Sequence, residues 1–135
     1  MGFLGSAFKF ISDATSGAID DMVMSKAKDL RRSPLLEKIE NRASFGSYDD
    51  FELSNYVRKG EYLSLFYAYA LKNGANHYNL SKVFKDIFKS NMRLAIRQIK
   101  GNCTSSNHEL ARLAMEVLET LKTDYEVKNI IKQSR

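Results

Sequence analysis

Apolar residues recur every three or four positions along most of the chain, the spacing of helices that bury one side. Alternating runs typical of β-strands are hard to find, and one proline and seven glycines leave room for long helices. Short polar connectors indicate antiparallel neighbours. The pattern predicts an all-α fold, a single compact antiparallel bundle of five to six helices over residues 1–135.

The segment over residues 62–71 is apolar on every side except at Ser64. A helix that is hydrophobic all round is normally buried all round, so this segment is predicted to be the central helix of the bundle. Asn73-Gly74 supplies its C-terminal stop. Gly60, just upstream, either ends the preceding helix or kinks one longer helix.

Two further helices complete the second half of the chain. Asn79 is placed to cap a single helix over residues 80–100. Ser106 or Asn107 caps the last helix, whose pattern frays after Lys128.

The helix over residues 80–100 carries the most uneven charge distribution in the sequence. Six basic residues at steps of three or four fall within an arc of about 120°. This basic stripe consists of Lys82, Lys85, Lys89, Arg93, Arg97 and Lys100. With Asp86 as the one acid, its net charge is +5, equal to the formal net charge of the whole chain.

The charge of the stripe is more one-sided than an ordinary solvated helix face requires. Like charges four residues apart destabilise a helix by a few tenths of a kcal/mol, and the stripe contains three such pairs, Lys85–Lys89, Lys89–Arg93 and Arg93–Arg97. A sequence selected for folding alone would interleave acids here. We therefore expect the stripe to bind an anionic partner, with a merely solvated face as the alternative.

An acidic partner protein is the preferred interpretation, because complementary charge steers association and buried anchors supply affinity. Ile96 at the edge of the stripe and Met92 on its flank are the predicted apolar anchors. The predicted partner-binding residues are therefore Lys82, Lys85, Lys89, Arg93, Ile96, Arg97 and Lys100. A bacterial toxin-neutralising immunity protein or a similar inhibitor fits this size and class.

Nucleic acid is the first alternative partner. A stripe of about 27 Å, at 1.5 Å per residue, would match the length of a short phosphate backbone. Asn91 and Gln98 are predicted to face the apolar side, and Phe84 and Phe88 to lie in the core. Since no base-reading group is left on the stripe, binding would be weakly specific and strongly salt-dependent.

A membrane surface is the second alternative. Residues 1–32 are predicted to form a long amphipathic first helix, either packed on the core or partly separate from it, and residues 1–24 would lie on the bilayer. The opening MGFLGS also fits the N-myristoylation pattern, with Gly2 as the acceptor. Asp13, Asp20 and Asp21 on the polar face oppose binding to anionic lipid.

Catalytic and metal-binding patterns are missing from the sequence, and we expect no enzyme, metal, cofactor or small-molecule substrate. His77 and His108 are the only histidines, and Cys103 is the only cysteine. Cys103 and His108 share one loop, but no nucleophile motif surrounds them. The single cysteine excludes an internal disulfide, and the absence of a signal segment or a long charge-free run predicts a cytoplasmic protein.

Overall fold

The structure, a computed structural model, describes residues 17–45 and 62–134. The described part is helical throughout, with short turns between the helices and no strand, and the predicted all-α bundle is confirmed. Helix α1 occupies residues 17–30. The others are α2 (Leu35–Phe45), α3 (Tyr62–Asn73), α4 (Leu80–Phe88), α5 (Met92–Asn102), α6 (His108–Leu121) and α7 (Tyr125–Gln133).

Helix α3 is the buried centre of the bundle, as its apolar pattern predicts. Every residue from Leu63 to Ala70 is buried. Ser64, the polar exception, donates a hydrogen bond to the backbone carbonyl of Val23 in α1. Gly74 adopts φ +91°, a conformation that glycine reaches without strain, and this ends the helix where Asn73-Gly74 predicts.

Aromatic rings join α3 to α4. The Phe66 ring lies 5.4 Å from Phe84 and 5.6 Å from Phe88 between centroids, both in edge-to-face arrangement. Tyr67 and Tyr69 are also fully buried, and each hydroxyl has a partner: Tyr67 donates to Asn102 at 2.7 Å, and Tyr69 lies 3.1 Å from His77 Nδ1. These rings fill the core and do not form an exposed stacking platform.

Polar contacts tie α1 to the last residue of α5 and to the N-cap of α6. Asn107 donates to Asp21 at 2.7 Å, and the buried Asn102 amide lies 3.4 Å from Asp20. The Asn107 side chain also accepts the backbone N–H of Leu110, so the N-cap predicted at Ser106 or Asn107 is Asn107.

The single helix predicted over residues 80–100 is wrong in one respect. Helix α4 ends at Phe88, and the 3₁₀ turn Lys89–Asn91 separates it from α5. Lys89 has φ +46° and ψ −117°, a conformation no residue inside an α-helix adopts, so the chain changes direction here. Asn79 precedes α4 but makes no side-chain capping bond to it.

The predicted last helix is also divided, because a turn over residues 122–124 separates α6 from α7. Asp124 caps α7, and its carboxylate accepts the backbone N–H of Val127 at 3.1 Å. The segment after Lys128 that was expected to fray is therefore the second half of an ordered helix.

Three predictions lie outside the described residues. These are the myristoylation of Gly2, residues 1–16 of the membrane-binding segment and the break or kink at Gly60. Within the described part, no helix combines the length and the apolar character needed to cross a bilayer.

Candidate partner-binding surface

The six residues of the basic stripe do not share one helix. Lys82 and Lys85 belong to α4, Lys89 opens the 3₁₀ turn, and Arg93, Arg97 and Lys100 belong to α5. Because the chain turns at Lys89, the predicted straight row of charge is divided into two shorter segments. The basic stripe therefore lies on two helices, and we call the turn Lys89–Asn91 between them the corner of the stripe.

Lys85 belongs to the structural framework of the bundle. Its ammonium group lies 2.7 Å from a carboxylate oxygen of Asp124 and 3.9 Å from Glu126, both at the start of α7. Partial burial tends to raise the pKa of Asp124, but hydrogen bonds from Lys85 and from the backbone of Val127 outweigh it and hold that pKa below its usual value. The stripe is therefore partly balanced by acids that follow it in the chain.

Lys100 holds the other end of α7. Its ammonium group donates to the backbone carbonyl of Ser134 at 2.7 Å, just past the end of the helix. Carbonyls at a helix C-terminus lack helical partners and carry partial negative charge, so a lysine is favourable there. Two of the six stripe residues, one at each end, thus fasten α7 to the bundle.

Ile96, the predicted apolar anchor, is fully buried and cannot contact a partner. The 3₁₀ turn sets the orientation of α5 independently of α4, and Ala95, Ile96 and Ile99 form its buried side. Met92 is partly buried against the core. Leu94, which a continuous helix would place inside, is instead 42% exposed.

The exposed side of α5 is a coherent surface, which we call the α5 face: Arg93, Leu94, Arg97 and Gln98. These positions, spaced i, i+1, i+4 and i+5, lie side by side on a helix. Among the described residues, Arg93 and Arg97 form no ion pair. The sequence contains no acid between Asp86 and Glu109, so the face is unopposed along its own helix.

Lys82 and Lys89 add positive charge on the α4 side of the corner, where both are exposed. Asp86 lies between them, but one of its carboxylate oxygens is buried and has no hydrogen-bond partner in the described part of the chain. Burial raises the pKa of Asp86 although Lys82, Lys89 and Lys85 act in the opposite direction. The one acid of the stripe therefore has one oxygen turned into the protein, while its charge still interacts with Lys82, Lys89 and Lys85.

Asn91 and Gln98 are exposed, which corrects the prediction that both face the apolar side. Phe84 and Phe88 are buried as predicted. The expectation that no polar group accompanies the basic residues is therefore wrong, because two amides lie on the same stretch of surface as the arginines.

The loop cysteine lacks the properties of a nucleophile. Cys103 is half-buried, and its thiol lies 3.4 Å from the carbonyl of Ile99, to which it donates. Burial raises the pKa of this thiol, and the nearby Lys122 and Lys100 reduce the effect only in part. A reactive cysteine needs the opposite environment, one that favours the thiolate.

Leu94 and Asp124 are not among the residues that the sequence predicts to be important in this region. Leu94 could be found only with the position of the helix break. Asp124 had a local signal, because an Asp at the N-cap position with an acid, Glu126, in the first turn is typical of a helix start. That signal was obscured because the apolar pattern continues through it.

Comparisons with protein-family models, with curated proteins and with solved structures find no match to this chain. The function has to be argued from the surface itself.

Proposed function

We propose that this protein is a non-catalytic binding domain that engages an acidic partner protein through the α5 face. The observation that carries the proposal is Leu94, 42% exposed between Arg93 and Arg97. An exposed leucine alone is ordinary. An exposed leucine flanked by two arginines without described ion pairs resembles the apolar centre and charged surround of a protein interface.

In such an interface the apolar and the charged side chains contribute to the binding free energy in different ways. Full burial of an exposed leucine side chain contributes about 1.5–3 kcal/mol, and since Leu94 is 42% exposed a partner can add about half of that or less. Arg93 and Arg97 can each bind a carboxylate through two parallel hydrogen bonds, which adds geometric selectivity. Lys82 and Lys89 lie further out, where charge chiefly accelerates association and makes it salt-dependent.

The proposed set of contact residues is smaller than the set of partner-binding residues predicted from the sequence. Lys85 and Lys100 are engaged with α7, and Ile96 lies in the core. The proposed contact residues are Lys82, Lys89, Arg93, Leu94 and Arg97. An inhibitor such as a toxin-neutralising immunity protein is the specific form that size and class suggest, and it stays a prediction.

The test compares two variants of equal charge in a capture experiment from the native host. One variant reverses Arg93 and Arg97 to Glu. The matched control reverses Lys128 and Lys132, two exposed lysines of α7, and so changes the net charge by the same amount. We expect the control to retain the wild-type partner and the α5-face variant to lose it, with Leu94→Asp giving the same loss.

Equal retention of the partner by both charge variants would refute the proposal. Equal loss from both would show that net charge alone governs the association and that the α5 face has no special role. Thermal unfolding of each variant checks that the exposed substitutions leave the fold intact.

Nucleic acid is the second candidate, and the exposure of Asn91 and Gln98 favours it. Amide side chains beside arginines are the groups that read base edges. Fluorescence anisotropy with short DNA and RNA duplexes over a salt series tests it. With two to four phosphate contacts we expect a slope of log K against log salt of about −2 to −4 for DNA. Absence of binding at low salt excludes this candidate and leaves the protein partner.

A further inference from the structure

A cleft of about 390 Å³ lies between the connector that follows α3 and the C-terminal end of α6. Its volume is in the range of small-molecule sites. The lining residues are Asn76, His77 and Tyr78 from the connector, Ser81 from α4, and Glu119, Thr120 and Thr123 from the end of α6 and the turn after it. None of them belongs to the proposed partner-binding surface.

One wall of the cleft is held rigidly by His77. The Nδ1 atom of His77 lies 3.2 Å from the backbone nitrogen of Asn79 and 3.1 Å from the Tyr69 hydroxyl. A backbone N–H can only donate, so Nδ1 is an acceptor and Nε2 carries the ring hydrogen. That nitrogen lies 3.5 Å from a carboxylate oxygen of Glu40. Contacts on both ring nitrogens fix the orientation of the imidazole.

Tyr78 rests on this fixed ring. The two ring centroids are 4.6 Å apart with an interplanar angle of 33°, yet Tyr78 is 85% exposed. The imidazole supports one face of the tyrosine and leaves the other as a flat apolar surface at the edge of the cleft. An aromatic ring supported in this way can receive the apolar face of a ligand with little loss of conformational entropy.

The rest of the lining is polar and nearly neutral. The Ser81 hydroxyl and the Asn76 amide offer both donors and acceptors, and the Thr123 hydroxyl, which donates to the backbone carbonyl of Thr120 at 2.7 Å, offers an acceptor. The Thr120 hydroxyl lies 3.3 Å from the Asn76 side-chain oxygen. The one carboxylate, Glu119, pairs with Lys122 at 3.0 Å. The cleft therefore lacks the unbalanced charge that an ionic ligand would need.

We infer that this cleft binds a neutral, hydroxyl-rich ring, a saccharide unit of one or two residues. Such a ring has an apolar face of C–H groups, which matches the free face of Tyr78. Its hydroxyls both donate and accept, which matches the amide of Asn76, the hydroxyl of Ser81 and the acceptor oxygen of Thr123. A purely apolar ligand would leave these polar groups unpaired, at a cost in affinity.

The inference is tested by amide chemical-shift titration of the full chain. The probes are methyl β-glucoside, N-acetylglucosamine and maltose, and glycerol at equal concentration is the control for an unstructured polyol. With a Kd of about 1–10 mM for a ligand of this size, titration to about 50 mM reaches saturation. We expect saturable shifts confined to residues 76–81 and 119–123 with at least one saccharide and not with glycerol.

Variants then identify the platform. Tyr78→Ala is expected to weaken binding about 10-fold or more, and Tyr78→Phe to retain it, since the ring face and not the hydroxyl makes the contact. Tyr125→Ala is the matched control, because Tyr125 is 80% exposed and lies outside the cleft.

Three results would overturn the inference: no saturable shifts with any of the saccharides, shifts that glycerol reproduces, or unchanged affinity in Tyr78→Ala. Because Tyr78 is so exposed, the alanine variant should fold normally, which its thermal unfolding confirms or excludes directly.

Discussion

Removal of the Asp124 carboxylate should detach the N-terminal end of α7. In the folded protein this group does two things: one oxygen accepts the Val127 amide hydrogen, and the other accepts a hydrogen bond from Lys85 at 2.7 Å. Loss of an N-cap costs about 1 kcal/mol. The ion pair is about a fifth to a third exposed, so screening reduces its contribution to about 1 kcal/mol. Taken together, these two losses mean that Asp124→Ala should cost about 2 kcal/mol.

Three variants separate the two contributions. Asp124→Asn keeps a capping oxygen and loses the charge, so it should cost about 1 kcal/mol, as should Lys85→Met. The double variant should show a coupling of about 1 kcal/mol in a mutant cycle. Lys82→Met, which removes an exposed lysine one turn away, is the control and should change stability by less than about 0.5 kcal/mol. Urea unfolding followed by circular dichroism measures all four.

The dependence on pH has a defined sign. The pKa of Asp124 is lower in the folded protein than in the unfolded chain, so its contribution is fully present above the unfolded value of about 3.9. It is lost as the pH falls through the lower, folded pKa. The Lys85–Asp124 coupling should thus be complete at neutral pH and shrink in strong acid. A coupling near zero at pH 7, or one unchanged by acid, would refute this account of the ion pair.

Three further predictions concern single side chains, each measured by chemical unfolding. Asp86→Asn should raise the free energy of unfolding at pH 7 and leave it unchanged in strong acid. Burial raises the pKa of Asp86, so the wild-type protein loses stability as the pH rises through that pKa. Solvent screening limits the gain to about 0.5 kcal/mol, and a loss of stability at pH 7 would contradict it. Tyr67→Phe should cost about 1–2 kcal/mol, because it leaves the side-chain oxygen of a buried amide without its partner. That amide is Asn102, whose oxygen accepts the tyrosine hydroxyl at 2.7 Å, and a neutral effect would show that water replaces the hydroxyl. Ile96→Ala, in the core, should cost about 2–5 kcal/mol. Leu94→Ala, at the surface, should cost about 0.5 kcal/mol or less, and the reverse order would place the wrong side of α5 in the core.

The fold class follows from the sequence because it depends on local periodicity. The run at Leu63–Ala70, apolar except for Ser64, has no place in a small helical protein except the centre. The stop at Asn73-Gly74 and the cap at Asn107 are local signals that hold in any context. These elements are read over a few residues each, so no knowledge of distant contacts is needed.

The candidate site could not be predicted from local periodicity, because it depends on a helix break and on contacts between residues distant in the chain. No glycine or proline occurs between Lys85 and Arg97, so the sequence contains no strong signal that would end α4 at Phe88; Ser90-Asn91, residues typical of helix starts, is the one weak signal. The partner of Lys85 lies 39 residues away in the chain. Because the predicted helix continues through Lys89, it assigns two residues to the wrong sides. Ile96 is predicted at the surface and is buried, whereas Leu94 is predicted inside and is exposed.

The backbone of Lys89 has a consequence for which polyanions can be recognised. A lysine at φ +46° and ψ −117° occupies a region that favours glycine. The corner between α4 and α5 is therefore held against a local preference of about 1 kcal/mol or more. A straight, evenly charged rod that follows the basic groups of one helix would diverge from those of the other. A folded partner that presents acids in two directions can match both sides at once. The proposed surface would then select its partner by the angle between two charged segments as well as by their sign.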